Sequence, residues 1–350
     1  MKTIFDLVSP QLIGVYYSKA ASNTIPYLGA LLFPAKKQVG LDLSWIKGHD
    51  GLPVSLAPAA FDAKAPVRDR IGVEKIETEM PFFRESFRIG EKERQEILKV
   101  QGGANRSIIE PIINRIYDDA KGLIDGADVV AERMRMQLLS KGTINIVGAD
   151  GLAYNYNYRF TRNHKKSLAG TDKWSNTKAD VYGVIKDAKR AISRDTGDTV
   201  TRAICTDSVW DKLLLNEAIK GDILTRLGQN STIVDDAMLK QWFATKLGLQ
   251  VSVYNKMSKA SEKSAAENFF PDDVFTLIPD GTLGNTYHGT TPEEAELMNG
   301  AASNAQVSVV NTGVAVTTET ETHPVNRKVI ASDIVLPSFE AIDSVFILNV

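Results

Sequence analysis

Between residues 109 and 138, apolar side chains recur at helical spacing: Ile109, Ile112, Ile113, Ile116, Ala120, Leu123, Ala127, Val130, Met134 and Leu138. That period predicts one long helix. Ser107 and Glu110 stand as the N-cap and N3 residues of a capping box, Pro111 is tolerated in the first turn, and Gly142 closes the element after Lys141. About 34 residues at ~1.5 Å each give roughly 50 Å. That equals the diameter expected for a compact ball of 350 residues, which favours a flat or elongated subunit over a globule.

Upstream the pattern changes. In the first ~35 residues, Phe5, Leu7, Ile13, Tyr16, Tyr17, Tyr27, Leu28, Leu31, Leu32 and Phe33 are punctuated by Pro10, Gly14, Pro26, Gly29 and Pro34. This predicts an extended arm with short helical turns, packed on its own domain or lying across another subunit. From residue 36 to 90, closely spaced Gly and Pro exclude a long helix. Leu41, Leu43 and Trp45 alternate with Asp42 and Ser44, so a strand with one apolar face is expected there. KGHDG follows as a turn, and an interrupted extended leg returns from Leu56 to Glu79. A lone hairpin is marginal in water, so its apolar face needs a cover from outside the segment. Leu41, Leu43 and Trp45, with Phe33 and Tyr27 of the arm, are therefore the candidates for contact with an adjacent subunit.

Downstream the pattern is mixed. GTINIVGADGLAYNYNYRF predicts a hairpin turning at ADG. A helix starting at Ser175 or Asn176 carries Val181, Ile185, Ala188 and Ile192 on one face. TVTRAIC, QVSVYNK and DVFTLIPDG read as strands, and Asp207 caps a helix running through Trp210, Leu214 and Ala218. The Thr-rich stretch GAASNAQVSVVNTGVAVTTETETHPV predicts a solvated hairpin, and the C-terminus two apolar strands around LPSF. The class is α+β.

Composition narrows the function by exclusion. Lys plus Arg number 41 against 43 Asp plus Glu, a net charge of −2, whereas a dedicated nucleic-acid binder needs a cationic surplus. Hydrophobic content of 43% supports a real core. The single cysteine, Cys205, excludes an intramolecular disulfide and any cysteine-built zinc site and reads as a small buried hydrophobe. No stretch approaches the ~18–20 apolar residues of a membrane span, and MKTIFDLVSPQLIG is a poor signal peptide, so a soluble protein made inside the cell is expected. Phosphate-loop, dinucleotide and nucleophile-elbow motifs do not occur. His49, His164, His288 and His323 lie in separate segments without metal-ligand spacing. Asp118, Asp119, Asp125 and Asp128 lack the order of a calcium loop and read as a solvated helix face. No catalytic residue, metal or cofactor is expected.

The order of elements resembles the Hong Kong 97-like capsid fold of tailed phages. PFFRESFRIG, DKWSNTKADVYG, TDSVWDKLLLNEAIKGDIL, NFFPDDVFTLIPDGTLGNTYHGTTPEEAEL and DIVLPSFEAIDSVFILNV are similar, in that order, to the lambda-type major capsid protein E family. The resemblance implies an N-arm over 1–35, an E-loop over 36–90 and a P-domain over 91–174 with its spine helix at about 107–141. It further implies an A-domain over 175–325 around the capsomer axis, and C-terminal strands over 326–350 returning to the P-domain. Leu283, Gly284, Thr286, Gly289, Thr291 and Pro292 are the A-domain capsomer motif it picks out.

What the resemblance implies functionally is a major capsid protein that self-assembles, as hexamers and pentamers, into an icosahedral shell. That shell encloses double-stranded DNA without binding it sequence-specifically, and near-neutral charge suits such a container. The expected partners are a separate scaffolding protein, since no long extension precedes the helix, a portal protein and a possible decoration protein. No membrane partner is expected. The expected place is the virion, after assembly in the host bacterial cytoplasm. Crosslinking through Lys36, Lys47, Lys64 or Lys75 is not expected. Two alternatives stand beside this one: an encapsulin-like compartment of the same fold, and a soluble α/β enzyme, which would need convergent polar residues in a pocket.

Overall fold

The computed structural model describes residues 8–21, 27–47, 74–92, 95, 109–147, 153–227, 234–259, 264–297, 305–323 and 325–350. Ser107, the side chain of Glu110, the KGHDG and ADG turns and most of the leg from Leu56 lie outside the described residues. The chain divides into two compact units, Met1–Leu43 with Glu77–Arg133 and Asn285–Ser338, and Ser44–Ile76 with Met134–Gly284 and Phe339–Val350.

In the first unit, α1 (Pro10–Ala21) and α2 (Leu28–Leu32) make the arm more helical than its Gly and Pro content predicts. The sheet runs β1 (Ala35–Lys37), β13 (Thr286–His288), β16 (Val325–Pro337), β15 (Val314–Thr322), β14 (Ala305–Val310). Strand β16 organises it. One edge pairs antiparallel with β15, and the other pairs first with β4 (Phe82–Ile89) and then with β13. The hairpin β14–β15 is Thr-rich but not simply solvated. Alternation turns Val310, Val314 and Val316 inward, where they join Ile13, Tyr17, Ile89, Ile116, Ala120 and Ile124 in one core. Residues 285–325, which the resemblance assigns to an A-domain, share this unit with the arm.

The long helix, α3, spans Ile109–Lys141 and is helical through Gly122 and Gly126. Two glycines cost roughly 2 kcal/mol relative to alanine, while burying one large apolar side chain returns ~1.5–3 kcal/mol, so burial along this helix outweighs them. Gly142 ends it at φ +70°, and a Cβ there would lie 2.7 Å from Phe160 Cβ, so glycine is required twice over. The acidic face is not simply solvated. Asp118 accepts from the Tyr16 hydroxyl at 2.6 Å, and Asp128 from Tyr17 at 3.0 Å and Asn311 at 3.3 Å. Burial first, then the Asp128 charge, pushes the Tyr17 hydroxyl well above its ordinary pKa and holds it as a donor. Buried Glu132 accepts from the Gly29 N–H at 2.9 Å and fixes α2 on the same helix.

The second unit holds a five-stranded sheet ordered β7 (Lys165–Ser167), β17 (Phe346–Asn349), β12 (Val274–Pro279), β8 (Val200–Cys205), β9 (Gln250–Val253). Central β12 is buried on both faces for all but its last residue, and β8 is buried at Val200 and from Ala203 to Cys205, as strands covered on two sides must be. Helix α4 (Val181–Thr196) buries Val181, Ile185, Ala188 and Ile192, the face its period predicts. It starts later than Ser175 or Asn176, because Asp180 caps it by accepting from the Gly183 N–H at 2.8 Å. The helix expected to run from Asp207 to Ala218 breaks at Asn216 into α5 (Asp207–Leu215) and α6 (Glu217–Leu227). The buried Asn216 side chain donates to Ala179 O and accepts from the Ile219 N–H, so it caps the second helix instead of continuing the first. Helix α7 (Asp236–Trp242) and a π turn (Phe243–Leu247) lead into β9. An aromatic cluster fills the core: Phe275 lies 5.1 Å from Trp174 and 6.3 Å from Phe243, centroid to centroid. The predicted hairpin forms as β5 (Thr143–Val147) and β6 (Ala153–Asn157), and β2 (Asp42–Lys47) pairs with β3 (Glu74–Glu79).

Candidate functional site: surfaces for assembly

The stretch from Leu283 to Pro292 is tied into its own chain. Thr286 donates through its hydroxyl to Phe33 O at 2.8 Å and through its N–H to Pro34 O at 2.9 Å. Together with Gln38 N–H on His288 O at 2.8 Å, these bonds add β1 as a parallel edge strand. Gly289 N–H donates to Ile334 O at 2.7 Å. Around the node, Lys37 Nζ donates to Gly289 O at 2.9 Å and pairs with Glu294, while Arg84 pairs with Glu293, which also accepts from Ser332 at 3.0 Å. Buried His288 and Asp333 meet at 3.0 Å. Leu283, Gly284, Thr286, Gly289 and Thr291 are buried and only Pro292 is exposed, so these residues build the subunit before anything else. A Cβ on Gly289 would lie 2.7 Å from Ile334 Cγ2 and 2.9 Å from the Gly40 carbonyl oxygen. Gly289→Ala is expected to cost about 1–3 kcal/mol through overpacking, read as a lower urea midpoint at unchanged m-value.

The contact candidates divide. The expectation that the strand from Leu41 to Trp45 finds no cover in its own chain does not hold. Leu43 is fully buried, and Trp45 is 6% exposed with its ring 5.1 Å from that of Tyr158. Phe33 is fully buried and Tyr27 half-buried. Leu41 is 42% exposed, and its neighbour Val39, which sequence reasoning missed, is 88% exposed beside Gly40 at φ +90°. Of the ten large apolar side chains exposed among the described residues, Leu12, Val15, Leu31, Val39 and Leu41 all lie in the arm and the turn after it. Half of the ten thus fall within one stretch of sequence, Leu12 to Leu41.

Chemically the described residues are quiet. They contain no group of three or more His, Cys, Asp or Glu arranged to hold a metal ion, and no helix among them is long and apolar enough to cross a membrane. His288–Asp333 is a buried pair, and buried His164 meets the exposed Asp195 at 3.1 Å; the serine next to Asp333, Ser332, donates to Glu293. Cys205 is fully buried, and burial first, then the Asp207 charge, pushes its thiol up to about 12. An alkylating reagent near pH 8 should therefore modify Cys205 only on unfolding, although a free thiol with a pKa of about 8.5 reacts readily; labelling with and without urea, read by mass spectrometry, checks this.

Solved structures share the fold. A protein described as the capsid protein of a prophage of E. coli CFT073 is similar at TM-score 0.58 and 14% identity, covering 98% of this chain and 99% of that one. A phage-related protein of Bordetella bronchiseptica RB50 aligns at 0.56 and 10% over 96% of each chain, and the capsid protein of cyanophage A-1(L) at 0.50 and 13% over 92% and 91%. No curated protein sequence matches. These likenesses give the fold, which is the Hong Kong 97-like phage capsid fold. Residues 17–350 match the family described as phage major capsid protein E, and the chain belongs to that family. It is a structural protein, a major capsid protein of a tailed phage, and its place is the virion.

Proposed function

We propose that copies of this chain close, as hexamers and pentamers, into an icosahedral shell that encloses double-stranded DNA without reading its sequence. The observation that carries this beyond family membership is the gathering of exposed apolar side chains in the arm and the following turn, Leu12 through Leu41. A monomer gains nothing by keeping them in water, whereas a neighbouring subunit would bury them. In this account 1–35 serve as N-arm, 36–90 as E-loop, 91–174 as P-domain, 175–325 as A-domain and 326–350 as returning strands, with residues 285–325 folded beside the arm. A scaffolding protein, a portal and a possible decoration protein are the partners the resemblance supports, and the chain itself catalyses no reaction. The test is the double substitution Val39→Asp with Leu41→Asp. Both side chains are exposed, so circular dichroism should match wild type while capsid-sized particles disappear from a sucrose gradient. Normal assembly of the double variant would contradict the role given to this turn.

A further inference from the structure

The second unit contains a basic cleft of about 390 Å³ lined by Tyr182, Lys186, Lys189 and Arg190 of α4, by Lys246, and by Asp198. Spacings of four, seven and eight residues place the α4 side chains on one helix face. The flanking face, Val181 to Ile192, is buried, which turns these side chains outward. Two ammonium groups are held in place by protein oxygens: Lys189 Nζ donates to Leu247 O at 2.6 Å, and Lys246 Nζ lies 3.0 Å from Asp222. Each retains further N–H donors. Lys186 sits 5.3 Å from the Tyr182 ring centroid, and Arg190 lies 3.4 Å from Asp187 at the exposed rim. Two of the four cations are already paired, Lys246 with Asp222 and Arg190 with Asp187, so with Asp198 the cleft keeps a small positive excess, carried by Lys186 and Lys189.

We propose that this cleft binds a phosphate group, either a free anion or one carried on a nucleotide strand. Burial lowers the pKa of the Lys189 ammonium. An anion in the cleft would favour its charged form. The planar guanidinium of Arg190 with ammonium groups beside it suits the several oxygens of a phosphate better than the two of a side-chain carboxylate. Tyr182 is 38% exposed, and a base stacking on its ring would take the place that the Lys186 ammonium now holds over it. The volume lies near the lower end for small-molecule sites, the scale of a nucleotide and not of a duplex.

The experiment titrates the full chain, at roughly 50 mM salt, with inorganic phosphate, a fluorescent single-stranded oligonucleotide and oligoglutamate. Phosphate should bind saturably and displace the oligonucleotide. Lys186→Gln combined with Arg190→Gln, both at exposed positions, should weaken binding about tenfold or more with unchanged circular dichroism. Tighter binding of the oligonucleotide than of phosphate, with log affinity falling by roughly 0.7 per contacted phosphate per decade of salt, assigns the source to a strand. Equal affinity assigns it to the free anion. Absence of saturable phosphate binding, binding unchanged in the double variant, or oligoglutamate displacing the oligonucleotide better than phosphate does would each overturn the proposal.

Discussion

Replacing Trp45 with aspartate is expected to unfold the region around β2, not merely to block assembly. The indole is 6% exposed and its ring lies 5.1 Å from that of Tyr158. Aspartate removes that packing and places a carboxylate where little water reaches it. Loss of a buried aromatic costs about 3–5 kcal/mol, and an unpaired buried charge adds to it, so more than 4 kcal/mol is expected, the range that marks a disrupted core. The measurement is urea unfolding followed by far- and near-ultraviolet circular dichroism. Native-like spectra and an unchanged midpoint would mean that Trp45 faces solvent and does not pack against Tyr158.

Phe275→Ala carries the second large effect. This fully buried ring lies between Trp174, at 5.1 Å, and Phe243, at 6.3 Å, on the central strand of the second unit. A rigid cluster of this kind collapses poorly around a deleted ring, so about 3–5 kcal/mol should be lost. Trp174, Trp210 and Trp242 belong to the same core. Tryptophan fluorescence should therefore show the loss as a lower urea midpoint, and a red-shifted native spectrum would show water entering the site. A loss below about 1 kcal/mol would place Phe275 at the margin of the core, contrary to its burial.

These two sites differ in how far the sequence exposes them. Helix α3 is legible because its period runs for nine turns, long enough to outweigh Gly122 and Gly126. Strands β8 and β12 are legible as short, mainly apolar runs, and α4 by the row Val181, Ile185, Ala188, Ile192. The cover on Trp45 is not, because Tyr158 follows more than a hundred residues later and nothing local announces the contact. For the same reason Asp118 and Asp128 look like solvent-facing carboxylates until Tyr16 and Tyr17 are brought to them across the fold. The break at Asn216 depends on Ala179 O, a long-range acceptor that overrides local helix propensity. In the LGNT and GTTPE stretches the order of residues points to the family, while their contacts, Thr286 on Phe33 and Gly289 against Ile334, belong to the subunit's own sheet. Val39 escapes notice because a single exposed valine is ordinary; it acquires meaning only beside Leu41 and the arm.

The central claim is that this chain closes into a shell. Negative-stain electron microscopy of the full-length protein, expressed with and without the product of its neighbouring gene, tests it most directly. Closed particles of one capsid-like size, formed with the partner or without it, are predicted. Monomers and small oligomers in both preparations, at concentrations where the circular dichroism shows a folded chain, would contradict it.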